Sequence, residues 1–220
     1  MNKPTTKSTS FMRHEIEEIP SALIRLLNNS KASIEVAAAE MKDIDPRFIT
    51  TIARGSSDHA AAYLKYAIEL SANIPVASIG PSIASIYGAS LKMDKSVSLA
   101  ISQSGQGPDT IQMAKSTAEG GGLSIAITND ANSPLADACH HTIDIHAGLE
   151  QSVAATKTFV TSIVAGLLLL AHWQDDEALL KALHNLPEQA AQAIECNWSL
   201  LAKRLDQENS LFIFMFLKRL

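Results

Sequence analysis

Short apolar runs alternate with longer amphipathic stretches through the middle of this chain. Runs rich in apolar and β-branched residues predict strands at residues 48–53, 75–79, 96–101, 123–128 and 142–146. Helix formers fill most of the segments between them. This alternation predicts an α/β fold, a five-stranded parallel αβα sandwich with helices on both faces. Right-handed crossovers make the sheet doubly wound. A flavodoxin-like strand order, 2-1-3-4-5, then places the switch point between the first and third strands.

Helical spacing replaces this alternation before the first strand. Residues 11–43 carry two helical patterns, and the second runs through Ile34, Val36 and Met41. We therefore expect N-terminal helices there. Residues 1–10 are polar and have none of the apolar core of a secretory signal, so they predict a disordered tail.

The chain after the last strand is again helical. Phe159–Trp173 is apolar but shorter than the about 20 residues of a membrane span, so it predicts a buried helix. Residues 175–184 and 187–205 predict further helices, and Asn209–Leu217 has the composition of a strand that either joins the sheet or opens another domain. The predicted organisation is a tail (1–10), N-terminal helices (11–43), an α/β domain with C-terminal helices (44–206) and the start of a further domain (207–220).

The composition narrows the class of partner. Acidic residues outnumber basic ones by 23 to 18, and aromatic residues make up only 5% of the chain. No basic face is available for a nucleic-acid backbone and few rings for stacking on bases, so nucleic acid is not an expected partner. Two widely spaced cysteines and the lack of a membrane segment predict a cytoplasmic protein. The apolar helices on both flanks predict a homodimer.

Two polar loops carry the chemistry. Ser102-Gln103-Ser104-Gly105 directly follows the third strand, and a helix is predicted to start at Pro108. Backbone N–H groups, serine hydroxyls and the positive end of the helix dipole would converge there on an anion such as phosphate. Gly55-Ser56-Ser57 follows the first strand, so both loops meet at the switch point. The other interpretation of the Ser102 loop is a plain connection with a serine cap.

Other chemistries fit the residues less well. Gly105-Gln106-Gly107 lacks the third glycine of a dinucleotide fingerprint and follows the third strand, so no nucleotide cofactor is expected. His140 and His141 would face opposite sides of a strand, and no thiol or carboxylate cluster completes a metal site. Glu150 could move a proton beside a carbonyl or stabilise a helix N-terminus. Lys157 could neutralise a ligand charge or form a salt bridge.

With these motifs in order, the chain resembles the SIS (sugar isomerase) domain family over about residues 12–210. The resemblance rests on Ala53–Ser57, Ser102–Gly105 and Glu150–Phe159. The last segment is similar to the isomerase half of glucosamine-6-phosphate synthase. The whole pattern looks most like glucosamine-6-phosphate deaminases of the second type and tagatose-6-phosphate ketose/aldose isomerases.

The resemblance implies a set of site residues. The substrate phosphate would be bound by Ser57, Ser102, Gln103, Ser104 and Gly107, the sugar by Ser56 and the backbone of Val153 and Ala155, and Glu150 would be the candidate catalytic residue. Gly107 departs from the synthase pattern, which has a phosphate-binding threonine nearby. The Gly107 N–H or the Thr110 hydroxyl is the expected replacement.

The resemblance also implies an activity. Family enzymes of this type carry two such domains, and the second supplies a glutamate that moves the proton between C1 and C2. The segment 210–214 matches the start of that second domain, so the chain is expected to correspond to the N-terminal half. The expected function is conversion of glucosamine 6-phosphate to fructose 6-phosphate and ammonia, without metal or cofactor. The alternatives are a ketose/aldose phosphate isomerase and a non-catalytic sugar-phosphate-binding module.

Overall fold

A parallel sheet forms the centre of the molecule in a computed structural model, which describes residues 10–206. Its strands are β1 (Phe48–Ala53), β2 (Val76–Ser78), β3 (Ser96–Ser102), β4 (Leu123–Thr128) and β5 (His141–Asp144). They lie in the order β2-β1-β3-β4-β5, and every neighbouring pair is parallel. The predicted fold and strand order are confirmed, and the switch point lies between β1 and β3.

Helices cover both faces of this sheet. They are α1 (Phe11–Glu17), α2 (Ile19–Asn29), α3 (Lys31–Ile44), α4 (Ser56–Ala72), α5 (Ser82–Ser85), α6 (Pro108–Glu119), α7 (Pro134–Asp137), α8 (Lys157–Trp173), α9 (Glu177–His184), α10 (Leu186–Glu195) and α11 (Ser199–Leu205). The larger core lies under α2, α3, α4 and α8, and the smaller one under α5, α6 and α7. In β3, Leu99 and Ile101 face the larger core and Ala100 the smaller. This alternation follows from the period-two geometry of a strand that is buried on both faces.

Two helical stretches divide differently from the prediction. Residues 11–43 hold three helices rather than two, because Glu18 ends α1 and Pro20 takes a first-turn position in α2. Proline fits there because a first-turn N–H has no intrahelical acceptor. Residues 187–205 hold α10 and α11, which are separated at Cys196, where the backbone becomes extended.

Val36 lies in a helix, as the pattern predicts, but it is 58% exposed because α3 presents Ile34, Ala37 and Met41 to the core. The predicted end of the last strand is wrong. The last strand ends at Asp144 rather than at His146, whose φ of 46° is left-handed and incompatible with a strand.

The predicted tail, apart from Ser10, and the predicted domain start at 207–220 lie outside the described residues. The helices within residues 10–206 include none that is long and apolar enough to cross a membrane.

Candidate functional site

The loops predicted to bind an anion start side by side at the switch point. Ala53, the last residue of β1, is in register with Ile101 of β3. Arg54 and Ser102, which follow these two residues, therefore lie together at the carboxyl ends of the two strands. This is where open α/β sheets bind their ligands.

The hydroxyl groups of Ser102 and Ser104 are oriented by backbone N–H groups of their own loop, which leaves their protons free to donate. Ser102 Oγ accepts the Gly105 N–H at 3.2 Å, and Ser104 Oγ accepts the Gln106 N–H at 3.3 Å. These contacts orient both side chains and use an oxygen lone pair of each. Since a hydroxyl also carries one donor, both protons stay available to a ligand.

A cavity of about 290 Å³ opens over this loop. It is lined by Arg54, Ile101, Ser102, Ser104, Gly107, Pro108, Asp109 and Thr110. Gly107 is the N-cap of α6, so the helix N-terminus forms one side of the cavity. The first-turn N–H groups of Asp109 and Thr110 have no intrahelical acceptor and add to the positive end of the helix dipole.

Arg54 brings the only cationic side chain to this cavity lining. Among the described residues, no carboxylate lies within ion-pair distance of it. It also borders a second cavity with Asp58, Gly80 and Pro81 on the β2 side of the switch point. Arg54 was not among the predicted site residues, although its position between the end of β1 and Gly55 already placed it at the switch point.

The predicted serines of the first loop lie beside the cavity without lining it. Gly55 has φ +60°, which allows the chain to turn from β1 directly into α4. Ser56 and Ser57 are the first residues of α4; Ser56 is exposed and Ser57 is half-buried. Their ligand contacts stay predictions.

Gly105 fixes the second loop against α7. Its φ is +61°, and a Cβ there would lie 2.1 Å from Ser133 Oγ. The Ser133 hydroxyl caps α7 by accepting the Ala136 N–H, and the Gly105 carbonyl accepts the Leu135 N–H at 3.1 Å. Only glycine satisfies both the close approach and the left-handed backbone.

Gln103 points to a different part of the site. Its amide Nε2 donates to Glu150 Oε2 at 3.5 Å, linking the Ser102 loop to the segment that joins β5 to α8. The Glu150 carboxylate also accepts the N–H of Thr156 at 3.0 Å and of Thr158 at 3.2 Å, and both threonine hydroxyls. Glu150 therefore stabilises the start of α8, and its catalytic role stays a prediction.

The remaining predicted residues lie in that same segment. The Val153 side chain is fully exposed, and Ala155 is half-buried. Lys157, which begins α8, is 2% exposed and forms an ion pair with Glu18. Of the two roles considered for Lys157, the structure shows the salt bridge.

The histidine pair has other partners. His140 Nδ1 lies 2.8 Å from Ser124 Oγ, and His141 Nε2 lies 2.5 Å from a Glu40 oxygen. Within residues 10–206, no group of three or more histidine, cysteine or carboxylate side chains is placed to hold a metal ion.

A comparison with models of protein families covers the part of the chain that carries this site. The model of the SIS domain matches residues 44–172, from the end of α3 into α8. The chain belongs to the SIS domain family. Both loops of the candidate site and the β5–α8 segment fall inside the matched part of this SIS domain.

The names of several relatives refer to phosphorylated sugars. A crystal structure from Silicibacter pomeroyi, described as a phosphosugar isomerase, is 52% identical with a TM-score of 0.88, over 90% of this chain and 61% of that one. The C-terminal domain of glucosamine-fructose-6-phosphate aminotransferase from Francisella tularensis is 25% identical with a TM-score of 0.72, over 93% and 60%. Glutamine–fructose-6-phosphate aminotransferase of Aquifex aeolicus is 30% identical over 94% of this chain and 35% of its own length. The SIS chain thus spans about a third of such a curated relative.

Proposed function

We propose that this SIS domain binds a hexose 6-phosphate, with the phosphate in the cavity beside Ser102, Ser104 and Thr110. The observation that carries the proposal is the donor set at the switch point. Two oriented hydroxyls, the N-terminus of α6 and Arg54 face one cavity, whose lining also includes the Asp109 carboxylate. The neutral donors and the Arg54 cation suit a phosphate ester.

The sugar of such a ligand would extend toward the β5–α8 segment. Gln103 contacts Glu150 there, so the segment adjoins the phosphate loop. The phosphate would contribute binding energy remote from the reacting carbons and hold C1 and C2 in place.

The reaction we propose is deamination of glucosamine 6-phosphate. A base removes the C2 proton of the open-chain sugar, and C1 then receives a proton, which leaves an imine at C2. Water attacks C2 and ammonia leaves, giving fructose 6-phosphate. Every step is proton transfer or hydrolysis. The amino-sugar phosphate chemistry in the names of the aminotransferase relatives supports this substrate class.

Each of the two alternative functions, an isomerase and a binding module, is favoured by one observation. The phosphosugar isomerase description of the Silicibacter relative favours a ketose/aldose isomerase. The Glu150 carboxylate is already occupied by donors from Thr156 and Thr158, which favours binding without turnover. Assays of ammonia and fructose 6-phosphate from glucosamine 6-phosphate separate the three. Both products indicate a deaminase, ketose–aldose interconversion without ammonia indicates an isomerase, and binding without turnover indicates a binding module.

Replacing Arg54 with methionine is expected to weaken glucosamine 6-phosphate binding by about 10- to 100-fold, because a charge-assisted contact to the phosphate is lost. Calorimetric titration measures the change. Arg54→Lys should be intermediate, since it keeps the charge but not the planar donor array.

The matched control for this variant is Arg47→Met, an exposed arginine just before the amino end of the same strand. Its affinity should equal that of the wild type. Wild-type affinity in Arg54→Met would remove Arg54 from the phosphate site.

A further inference from the structure

Helix α1 is attached to the molecule through a carboxylate. Glu15 is its only buried residue, at 3% exposure, whereas Phe11 and Met12 are exposed. Burying a carboxylate costs free energy unless it is well hydrogen-bonded, and it adds nothing to an apolar core. A helix placed only for stability would bury an apolar side chain at this position. Glu15 therefore indicates a different use for α1.

The partners of Glu15 lie in the β5–α8 segment. Glu15 Oε1 accepts the Gln151 N–H at 2.5 Å, and the Ser152 N–H lies 3.2 and 3.3 Å from the two carboxylate oxygens. These are charge-assisted hydrogen bonds to two successive peptides far away in sequence. One side chain thus fixes the direction of the backbone at Gln151 and Ser152.

Residues 148–156 of the segment depend on such contacts because they add nothing to the core. None of them is buried, and Leu149 and Val153 expose their apolar side chains. Hydrogen bonds to Glu150 fix the end of the segment next to α8, and hydrogen bonds to Glu15 fix its middle. Ser152 Oγ is enclosed without a hydrogen-bond partner among the described residues.

The held segment adjoins the candidate site without lining its cavity. Glu150 contacts Gln103, so residues 148–156 lie next to the loop that carries Ser102 and Ser104. We expect a ligand larger than phosphate to extend from the cavity toward this segment, which a free phosphate would not reach.

We propose that Glu15 is a positioning residue for the sugar end of the site. It fixes the Gln151–Ser152 backbone from outside the α/β core, so that α1 helps the site to distinguish a phosphorylated sugar from phosphate alone. The inference rests on the proposed function, which supplies the ligand.

Three variants test this role by calorimetry with glucosamine 6-phosphate and with inorganic phosphate. Glu15→Leu removes both acceptors and should weaken sugar-phosphate binding at least about tenfold, with phosphate binding within about twofold of wild type. Glu15→Gln keeps a neutral acceptor and should recover part of the loss. Glu17→Gln is the matched control, since Glu17 lies on the same helix, is exposed and pairs only with Arg13 among the described residues.

Hydrogen exchange supplies a second readout that does not depend on ligand. The amides of Gln151 and Ser152 should exchange faster in Glu15→Leu, while those of β3 stay protected and show that the sheet is intact. If Glu15→Leu does not fold, Glu15→Gln carries both measurements.

The outcomes separate this inference from the proposed function. A wild type that binds no hexose 6-phosphate overturns the proposed function. Wild-type binding that Glu15→Leu leaves unchanged overturns only the role of Glu15. Equal losses of sugar phosphate and of phosphate also overturn it, because they indicate general damage rather than positioning of the sugar end.

Discussion

Gly105→Ala is expected to lower the free energy of unfolding by about 2–5 kcal/mol and to abolish most phosphosugar binding. A left-handed backbone costs alanine about 1–2 kcal/mol, and overpacking adds about 1–3 kcal/mol. The clash is with Ser133, whose Oγ would lie 2.1 Å from the new Cβ. Relief would require the loop to leave α7, which breaks the hydrogen bond from the Leu135 N–H to the Gly105 carbonyl. Moving Gly105 also displaces the N–H that orients Ser102 Oγ. Chemical denaturation and calorimetry measure the two effects.

The control for Gly105→Ala lies in the same loop. Gly107 has φ −68°, and the nearest atom to a Cβ there is Thr110 Oγ1 at 3.6 Å. Gly107→Ala should therefore change the free energy of unfolding by less than about 0.5 kcal/mol. If both alanine variants were equally stable, the loop would not depend on the Gly105 conformation.

Glu18→Gln is expected to lower the free energy of unfolding by about 2–3 kcal/mol. Its partner Lys157 is 2% exposed and sits at the N-terminus of α8, where the helix dipole disfavours a positive charge. Breaking a fully enclosed pair costs about 3–5 kcal/mol. The expected cost for Glu18→Gln lies at or below the lower end of this range, because the Glu18 side chain is 35% exposed and partly open to water.

A second substitution and a pH series make this prediction specific. Lys157→Met combined with Glu18→Gln should recover most of the loss, since no buried charge is then left alone. The hydrogen bond from Lys157 holds the pKa of Glu18 below its ordinary value of 4.5. The contribution of the pair is therefore present above about pH 4.5 and is lost as the pH falls through the lowered pKa. A wild-type advantage over Glu18→Gln that persisted undiminished at about pH 2 would contradict this account.

The local pattern of apolar residues was sufficient to predict the strands of the sheet. Strands buried on both faces appear as continuous apolar runs, so β1, β3 and β4 were found nearly to the residue. The flavodoxin-like strand order was a prediction from the fold class, and it placed the two polar loops together at the switch point. Helix ends were predicted less well. Pro20 was compatible with either a helix start or a break, and the structure shows that α2 begins at Ile19.

The long-range polar contacts were beyond sequence reasoning. Nothing near Glu15 in the sequence points to Gln151, and nothing near Glu18 points to Lys157. Both pairs depend on how α1 lies across the finished α/β domain. Glu150 illustrates the same limit, because its position after the last strand is compatible with a catalytic base. The hydrogen bonds that its carboxylate accepts from Thr156 and Thr158 depend on the folded start of α8.

The most direct test of the central claim is calorimetric titration of the wild-type chain with glucosamine 6-phosphate, with Ser104→Ala measured alongside. We expect saturable binding by the wild type. We also expect a loss of about 10- to 100-fold in Ser104→Ala, as for one hydrogen bond to a charged group. Absence of binding by the wild type to any hexose 6-phosphate would contradict the proposed function, and equal affinity of the two proteins would exclude Ser104 from the phosphate site.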